Sequence, residues 1–132
     1  TNPTVAMGLG DSGAHVGQIM DASSPTWLLS HWVRDRQVIS LEEAIRGWTS
    51  DTAQIFGIPD RGVLREGARA DINVIDIDEL SLALPEYKHD FPAGAGRYVQ
   101  QGNGYDQMIV NGAVFMEDGQ HTGAYAGRVL RN

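Results

Sequence analysis

The sequence contains no cysteine, which excludes a disulfide framework, thiolate zinc sites and catalysis by a cysteine nucleophile. It also contains no run of 18 apolar residues, so it predicts no membrane-spanning helix. Basic residues are few, 10 against 17 acidic ones, and the net charge of -7 argues against nucleic acid or an anionic membrane surface as a partner. The lack of cysteine is consistent with the cytoplasm, and we expect a cytoplasmic protein.

What is present is the composition of a soluble globular protein, 42% hydrophobic and 20% charged. A chain of 132 residues is sufficient for one domain with a modest core. Its first residues, Thr1 to Thr4, include neither an initiator methionine nor a signal peptide, and a buried type of strand follows at once. We therefore expect the chain to be part of a longer protein.

The stretch VAMGLGDSGAHV at residues 5–16 carries the candidate chemistry. An apolar run bounded by glycines predicts a buried strand that ends at Asp11, with the carboxylate facing the same concavity as the glycine turn. An aspartate and a histidine, Asp11 and His15, are suited there to metal binding or general base catalysis. The alternative is a strand-to-loop corner whose aspartate only caps the following turn.

The same stretch matches G-x-G-x-x-G at residues 8–13, the pattern of a dinucleotide-binding loop. Asp35 follows at about the sequence spacing of the acidic residue that contacts the ribose in such proteins. Three features argue against that function. Asp11 lies inside the loop where a pyrophosphate needs neutral donors, residues 21–25 delay the helix, and no second parallel strand follows at the required spacing.

Helices are predicted in the first half of the chain. Ser23 and Pro25 favour a helix start that leads to a solvated end at 34–36, with Trp27 and Trp32 as core residues. Residues 40–43 form a capping-box pattern for a second helix, and a short third turn is expected over residues 52–56, before Gly57 and Pro59.

The second half of the chain has β character. Short β-type runs occur at 62–64 and 70–76, and residues 81–107 are expected to form a long irregular surface loop. Asn111-Gly112 between apolar runs predicts a hairpin over 108–116, which we expect to pair with the strand at 70–76.

The four histidines show no paired spacing typical of metal ligands. His31 is expected to be a hydrogen-bonded structural residue of its helix, and His89 and His121 are expected to be solvated. Only His15 lies in the same predicted turn as the candidate carboxylate, four residues after Asp11. Any histidine ligands that work with Asp11 are therefore expected outside this sequence.

Several stretches resemble the amidohydrolase superfamily, and more narrowly its N-acyl-D-amino-acid deacylase (D-aminoacylase) branch. They are GLGDSGAHV at 8–16, residues 49–58, DRGVLREGARADI at 60–72, and the glycine-containing turns between Val110 and Arg128. The resemblance covers nearly the whole chain, and the stretch at 60–72 is its most specific part. One departure is Thr52, where the family usually carries proline.

The resemblance implies an α/β plus β architecture. Residues 1–58 would form the last strand and helices of a (β/α)8 barrel, and residues 59–132 part of a small β-sandwich domain. Active sites of such barrels lie at the carboxyl ends of the strands, where Asp11 is expected. The missing N-terminal part of the barrel would be the chain's structural partner, and self-association is possible without it.

The resemblance also implies a metal-dependent hydrolase that cleaves the amide bond of N-acyl-D-amino acids. Asp11 would be catalytic, accepting the proton of a metal-bound water, and could also ligate zinc or another divalent metal. Ser12, Gly13 and His15 are the candidate substrate-binding residues. The alternatives are another amidohydrolase that acts on cyclic or linear amides, and a non-catalytic β-domain that serves assembly.

Overall fold

The computed structural model describes residues 5–8 and 10–129. In this part of the chain, two short helical regions and a third helical turn precede a set of antiparallel strands. Within the described residues, no helix has the length and apolar character needed to cross a membrane.

The first helix, α1, spans Ser24–Trp27 and continues as a π-helix over Leu28–Asp35. Its start agrees with the sequence prediction, since Pro25 occupies the first turn. The Ser23 side chain makes no capping bond, because its backbone is already helical at φ -79° and ψ 0°. Instead, the hydroxyl of Ser24 donates to the carbonyl oxygen of Asp21 at 2.6 Å.

The second helix, α2, spans Leu41–Trp48 and begins with the predicted capping box. Ser40 Oγ accepts from the Glu43 N–H at 3.2 Å, and the Glu43 carboxylate accepts from the Ser40 N–H at 3.4 Å. The third helix, α3, spans Ser50–Ile55, beginning two residues earlier than expected. Gly57 follows it at φ 66°, a conformation that ends helices and favours glycine.

The described residues then form eight strands: β1 Ile72–Ile75, β2 Ser81–Leu82, β3 Glu86–Lys88, β4 Arg97–Val99, β5 Gly102–Asn103, β6 Tyr105–Val110, β7 Ala113–Glu117 and β8 Gln120–His121. Four of them form an antiparallel sheet in the order β1-β6-β7-β8. The predicted hairpin and its pairing with the strand near 70–76 are confirmed, with Ile72 opposite Ile109. Asn111 and Gly112 turn it at φ 49° and 80°, as a two-residue hairpin turn requires.

The prediction of an irregular loop over 81–107 is wrong. Within it, β2 pairs with β5 and β3 pairs with β4, both antiparallel. Pro85 lies between β2 and β3, and Pro92 lies in the turn between β3 and β4. The prolines therefore separate the paired segments and do not interrupt them.

The β-type run at 62–64 forms no strand, which corrects a second expectation. Gly62 has a φ of 78°, far from extended backbone. A Cβ on this residue would lie 2.8 Å from the carbonyl carbon of Thr49, so the chain passes here directly against the start of α3.

The core joins the helices to the turn after β1. Leu29, Ala44 and Leu80 are its buried hydrophobic residues in the described part of the chain. Arg34 Nη1 donates to the carbonyl oxygens of Ile77 and Leu80, at 3.0 and 2.7 Å. The helical half and the β half are thus held together by burial and by a guanidinium that satisfies main-chain acceptors.

Candidate functional site

The segment before Asp11 lies against α2 and α3. Thr52 Oγ1 donates to the carbonyl oxygen of Met7 at 3.1 Å and to that of Gly47 at 2.8 Å. The Met7 side chain packs on Gly47, where an added Cβ would lie 3.0 Å from the Met7 sulfur. Gly47 therefore permits the close approach, and Thr52 fixes it.

The predicted strand that ends at Asp11 is not formed among the described residues, because residues 5–8 pair with no other strand. A strand needs a neighbouring strand to pair its main-chain groups. The sheet formed by the described residues pairs β1, β6, β7 and β8 and does not include this segment. Residues 5–8 are instead attached to the helices by the hydrogen bond from Thr52 to the carbonyl oxygen of Met7.

Asp11 opens a tight loop that contains the other predicted site residues. The N–H of Ala14 donates to the carbonyl oxygen of Asp11 at 3.0 Å, and Gly13 has a φ of 96°. His15 also has a positive φ, 50°, and its carbonyl oxygen accepts from the N–H groups of Gln18 and Ile19. The loop is thus a pair of consecutive turns stabilised by its own main-chain groups.

The structure brings Asp11, Ser12, Gly13 and His15 together within this loop. Asp11, Gly13 and His15 are exposed, and Ser12 is half-buried. An exposed carboxylate at the start of a surface loop is accessible to a ligand. That the Asp11 carboxylate faces the same concavity as the glycine turn stays a prediction.

The described residues do not make a complete metal site by themselves. No three or more of their histidine, aspartate and glutamate side chains are grouped so that they could hold an ion. A catalytic zinc site typically takes three protein ligands. Asp11 fits such a site only as a single contributor.

Sequence reasoning missed the residue that contacts Asp11. Asp21 Oδ2 accepts a hydrogen bond from the main-chain N–H of Asp11 at 2.6 Å. Asp21 Oδ1 is buried and has no hydrogen-bond partner among the described residues. The available signal was an acidic residue three residues before the start of α1, but its partner ten residues earlier could not be identified from spacing.

The other histidines lie away from this loop in sequence and have local partners. The His31 ring stacks on Trp27 with centroids 4.4 Å apart and meets the edge of Trp32 at 4.9 Å. His89 and His121 are exposed as expected, and each ring has a main-chain hydrogen-bond partner, Gly94 O and Gly123 N respectively. The structure assigns these three rings to packing and turn contacts.

The expectation that Trp27 and Trp32 belong to the core is wrong, because they are 49% and 41% exposed. The side of the helix that packs on the core carries Leu28, Leu29 and Val33 instead. The two indoles stack with His31 beside that face.

The charged residues of the stretch at 60–72 have a structural role. Arg69 pairs with Asp60 at 2.8 Å, and Arg61 pairs with Asp71. Asp71 Oδ1 then accepts from the N–H of Asn111 at 2.8 Å, in the turn of the β6–β7 hairpin. This network joins the end of the helical half to the sheet. The guanidinium of Arg69 holds the pKa of Asp60 below its usual value, mainly by hydrogen bonding.

Comparison with known proteins gives consistent matches. The model of the amidohydrolase family matches residues 1–116. The D-aminoacylase of Alcaligenes xylosoxydans xylosoxydans is 33% identical over 103 residues, which are 78% of this chain and 19% of that protein. The N-acyl-D-glutamate deacylase of the same organism is 34% identical over 107 residues, 80% of this chain and 20% of that protein.

Solved structures of D-aminoacylase are similar as well. They superpose with a TM-score of 0.61 at 33% identity, covering 82% of this chain and 21% of theirs. One of them comes from work on the functional role of the binuclear metal center of that enzyme. The chain therefore spans about a fifth of the length of the proteins it matches.

Proposed function

Because the chain belongs to the amidohydrolase family, we propose that it is part of a metal-dependent deacylase that hydrolyses the amide bond of N-acyl-D-amino acids. The similarity to a D-aminoacylase and to an N-acyl-D-glutamate deacylase supports this choice within the family. In this proposal residues 1–58 complete the hydrolase barrel, and residues 59–132 belong to its small β-domain.

The observation that carries the proposal is the placement of Asp11. Its carboxylate is exposed at the start of a glycine-containing loop, while its main chain is fixed by a hydrogen bond to Asp21. An exposed carboxylate whose main chain is fixed is suited to proton transfer. Asp11 would take a proton from the attacking water and return it to the amine nitrogen as the amide bond breaks.

The cofactor in this proposal is zinc or another divalent metal, which would supply an activated water at neutral pH. Asp11 would be one of its contacts, and the remaining ligands would come from outside the described residues. The neighbouring residues Ser12, Gly13 and His15 would bind the substrate, with the main-chain N–H groups of the loop and the imidazole as donors to its carboxylate or acyl oxygen.

The test is an amide hydrolysis assay on the full-length protein loaded with zinc, using N-acetyl-D-amino acids and their L-enantiomers. Asp11→Asn removes the proton acceptor with little change in shape, so kcat should fall by about 10²–10⁴-fold. Asp106→Asn, an exposed aspartate in β6, is the control and should keep full activity.

Release of D-amino acids by the unaltered protein and its loss in Asp11→Asn support the proposal. Cleavage of a cyclic amide in place of the acyl amino acids would favour a different amidohydrolase activity. Undiminished turnover in Asp11→Asn would contradict the role assigned to this residue.

A further inference from the structure

Asp21 makes a close polar contact with the main chain of the proposed catalytic residue. Its Oδ2 atom lies 2.6 Å from the nitrogen of Asp11, shorter than the usual 2.9–3.0 Å of an N–H···O bond. This bond closes the loop of residues 11–21 at its base.

Gly10 is required by the same contact. A Cβ at this position would overlap the carboxylate of Asp21, although the backbone of Gly10 does not have a positive φ. By contrast, a Cβ on Gly8, two residues earlier, would meet no atom of the described residues within 4 Å. Gly10 is therefore needed for close approach and not for backbone conformation.

Asp21 is itself fixed from the other side by α1. Its carbonyl oxygen accepts from the hydroxyl of Ser24 at 2.6 Å and from the Ser24 N–H at 3.2 Å. Pro25 then restricts the backbone of the first helical turn. A continuous path of short contacts thus runs from the start of α1 through Asp21 to the nitrogen of Asp11.

The remaining oxygen of Asp21 is unusual, because Oδ1 is buried without a partner among the described residues. A buried polar atom without a hydrogen-bond partner costs free energy, so its presence needs an explanation.

We propose that Asp21 is a positioning residue that fixes the main chain of Asp11, with Gly10 as the small residue that allows it. The inference rests on the proposed function, since it assigns Asp21 to the geometry of proton transfer by Asp11. A shift of about 1 Å in a catalytic group is sufficient to lower turnover about 10²-fold. Asp21 itself takes no part in the chemistry.

Four variants of the full-length, metal-loaded protein test this role. Asp21→Leu removes the acceptor, and Gly10→Ala forces the Asp21 carboxylate away, so both should lower kcat by about tenfold or more with KM changed less than about threefold. Asp21→Asn keeps an oxygen acceptor and should retain kcat within about threefold. Gly8→Ala is the matched glycine control and should also retain it.

A second measurement does not depend on activity. Hydrogen exchange of the Asp11 amide, followed by NMR, should accelerate about tenfold or more in Asp21→Leu and Gly10→Ala. In Asp21→Asn and Gly8→Ala it should stay close to that of the unaltered chain. Amide signals of β6 and β7 report whether each variant is folded.

Loss of kcat in Asp21→Asn equal to that in Asp21→Leu would overturn the positioning role, because a carboxylate charge would then be essential. Unchanged exchange at Asp11 in both Asp21→Leu and Gly10→Ala would also overturn it. If the exchange pattern holds but the unaltered protein releases no D-amino acid, the proposed function fails and the contact between Asp21 and Asp11 stands.

Discussion

The hydroxyl of Thr52 is the second attachment of the segment that carries Asp11. It donates to the carbonyl oxygens of Met7 and Gly47, and Met7 lies four residues before Asp11. Asp21 holds the same segment at the Asp11 nitrogen. In the comparison with the deacylase sequences, Thr52 is notable only because the family usually carries proline at this position. In this chain the substitution supplies a donor that proline lacks.

Thr52→Val should therefore destabilise the chain, since valine keeps the shape of threonine and removes the donor. A hydrogen bond contributes about 1 kcal/mol net, and a half-buried acceptor left unpaired adds to the loss, so we expect the unfolding free energy to fall by about 1–2 kcal/mol. Thr52→Ser retains the hydroxyl and should lose less. Thermal unfolding followed by circular dichroism measures both, and equal midpoints for the two variants would contradict this role.

At the scale of elements, the β3–β4 ladder is held by an ion pair at its end. Arg97 donates to both carboxylate oxygens of Asp90 at 2.8 Å, and its guanidinium carbon lies 5.0 Å from the centre of the Phe91 ring. Hydrogen bonding from Arg97 is the main cause that lowers the pKa of Asp90 below its ordinary 3.8, and desolvation opposes it.

The sign of the pH effect follows from that direction. Since folding lowers the pKa of Asp90, the pair stabilises the ladder fully above pH 3.8, and this contribution is lost as the pH falls through the lower folded value. Tyr87 and Tyr98 face each other across the ladder with ring centroids 5.0 Å apart, so their NMR signals report it locally.

We expect the Tyr87 and Tyr98 signals to shift together below about pH 4 in the unaltered chain. In Asp90→Asn the same signals should already be shifted at neutral pH and should change little on acidification. Asp106→Asn should titrate like the unaltered chain. Identical titrations of these rings in Asp90→Asn and the unaltered chain would show that the ion pair does not hold the ladder.

Elements specified by a few neighbouring residues could be predicted from the sequence. The capping box of Ser40 and Glu43 starts α2, and Asn111-Gly112 turns the β6–β7 hairpin, because each pattern satisfies its own main-chain groups locally. The β3–β4 ladder was missed because the residues of β3, Glu86–Lys88, are exposed and show no apolar alternation.

The candidate catalytic residue could be predicted from the sequence, but the residue that holds its main chain could not. Asp11 stood out as a carboxylate between glycines, whereas Asp21 approaches it only through the fold of the intervening loop. The apolar run before Asp11 favoured a strand, but apolar character alone does not supply the partner strand that an extended segment needs. A contact between the two ends of a loop depends on the backbone conformation of the whole loop, which the spacing of residues in the sequence does not determine.

At the scale of the whole molecule, exposed large hydrophobic residues outnumber buried hydrophobic ones in the described part of the chain. The buried hydrophobic residues of the described part are Leu29, Ala44 and Leu80, while Phe56 at the end of α3 is 74% exposed. Leu41 and Ile45 of α2 are exposed at 42% and 40%. Exposed apolar side chains of helices favour pairing with further protein, and we propose the rest of a hydrolase barrel as that protein.

The last prediction concerns the whole chain: the 132 residues alone should neither bind zinc tightly nor hydrolyse an acyl amide. The described residues offer no grouping of three or more possible metal ligands, and Asp11 and His15 supply at most two. A metal held by one or two such groups keeps most of its waters and lacks the fixed geometry that turnover needs.

Calorimetric zinc titration of the isolated chain, paired with an assay for D-amino acid release, measures both properties. We expect no stoichiometric binding at micromolar zinc and no turnover, with the Asp11→Asn variant indistinguishable from the unaltered chain in both. The full-length protein should differ from its own Asp11→Asn variant in turnover. Micromolar stoichiometric binding by the chain, together with turnover that Asp11→Asn abolishes, would show that these 132 residues contain a complete site.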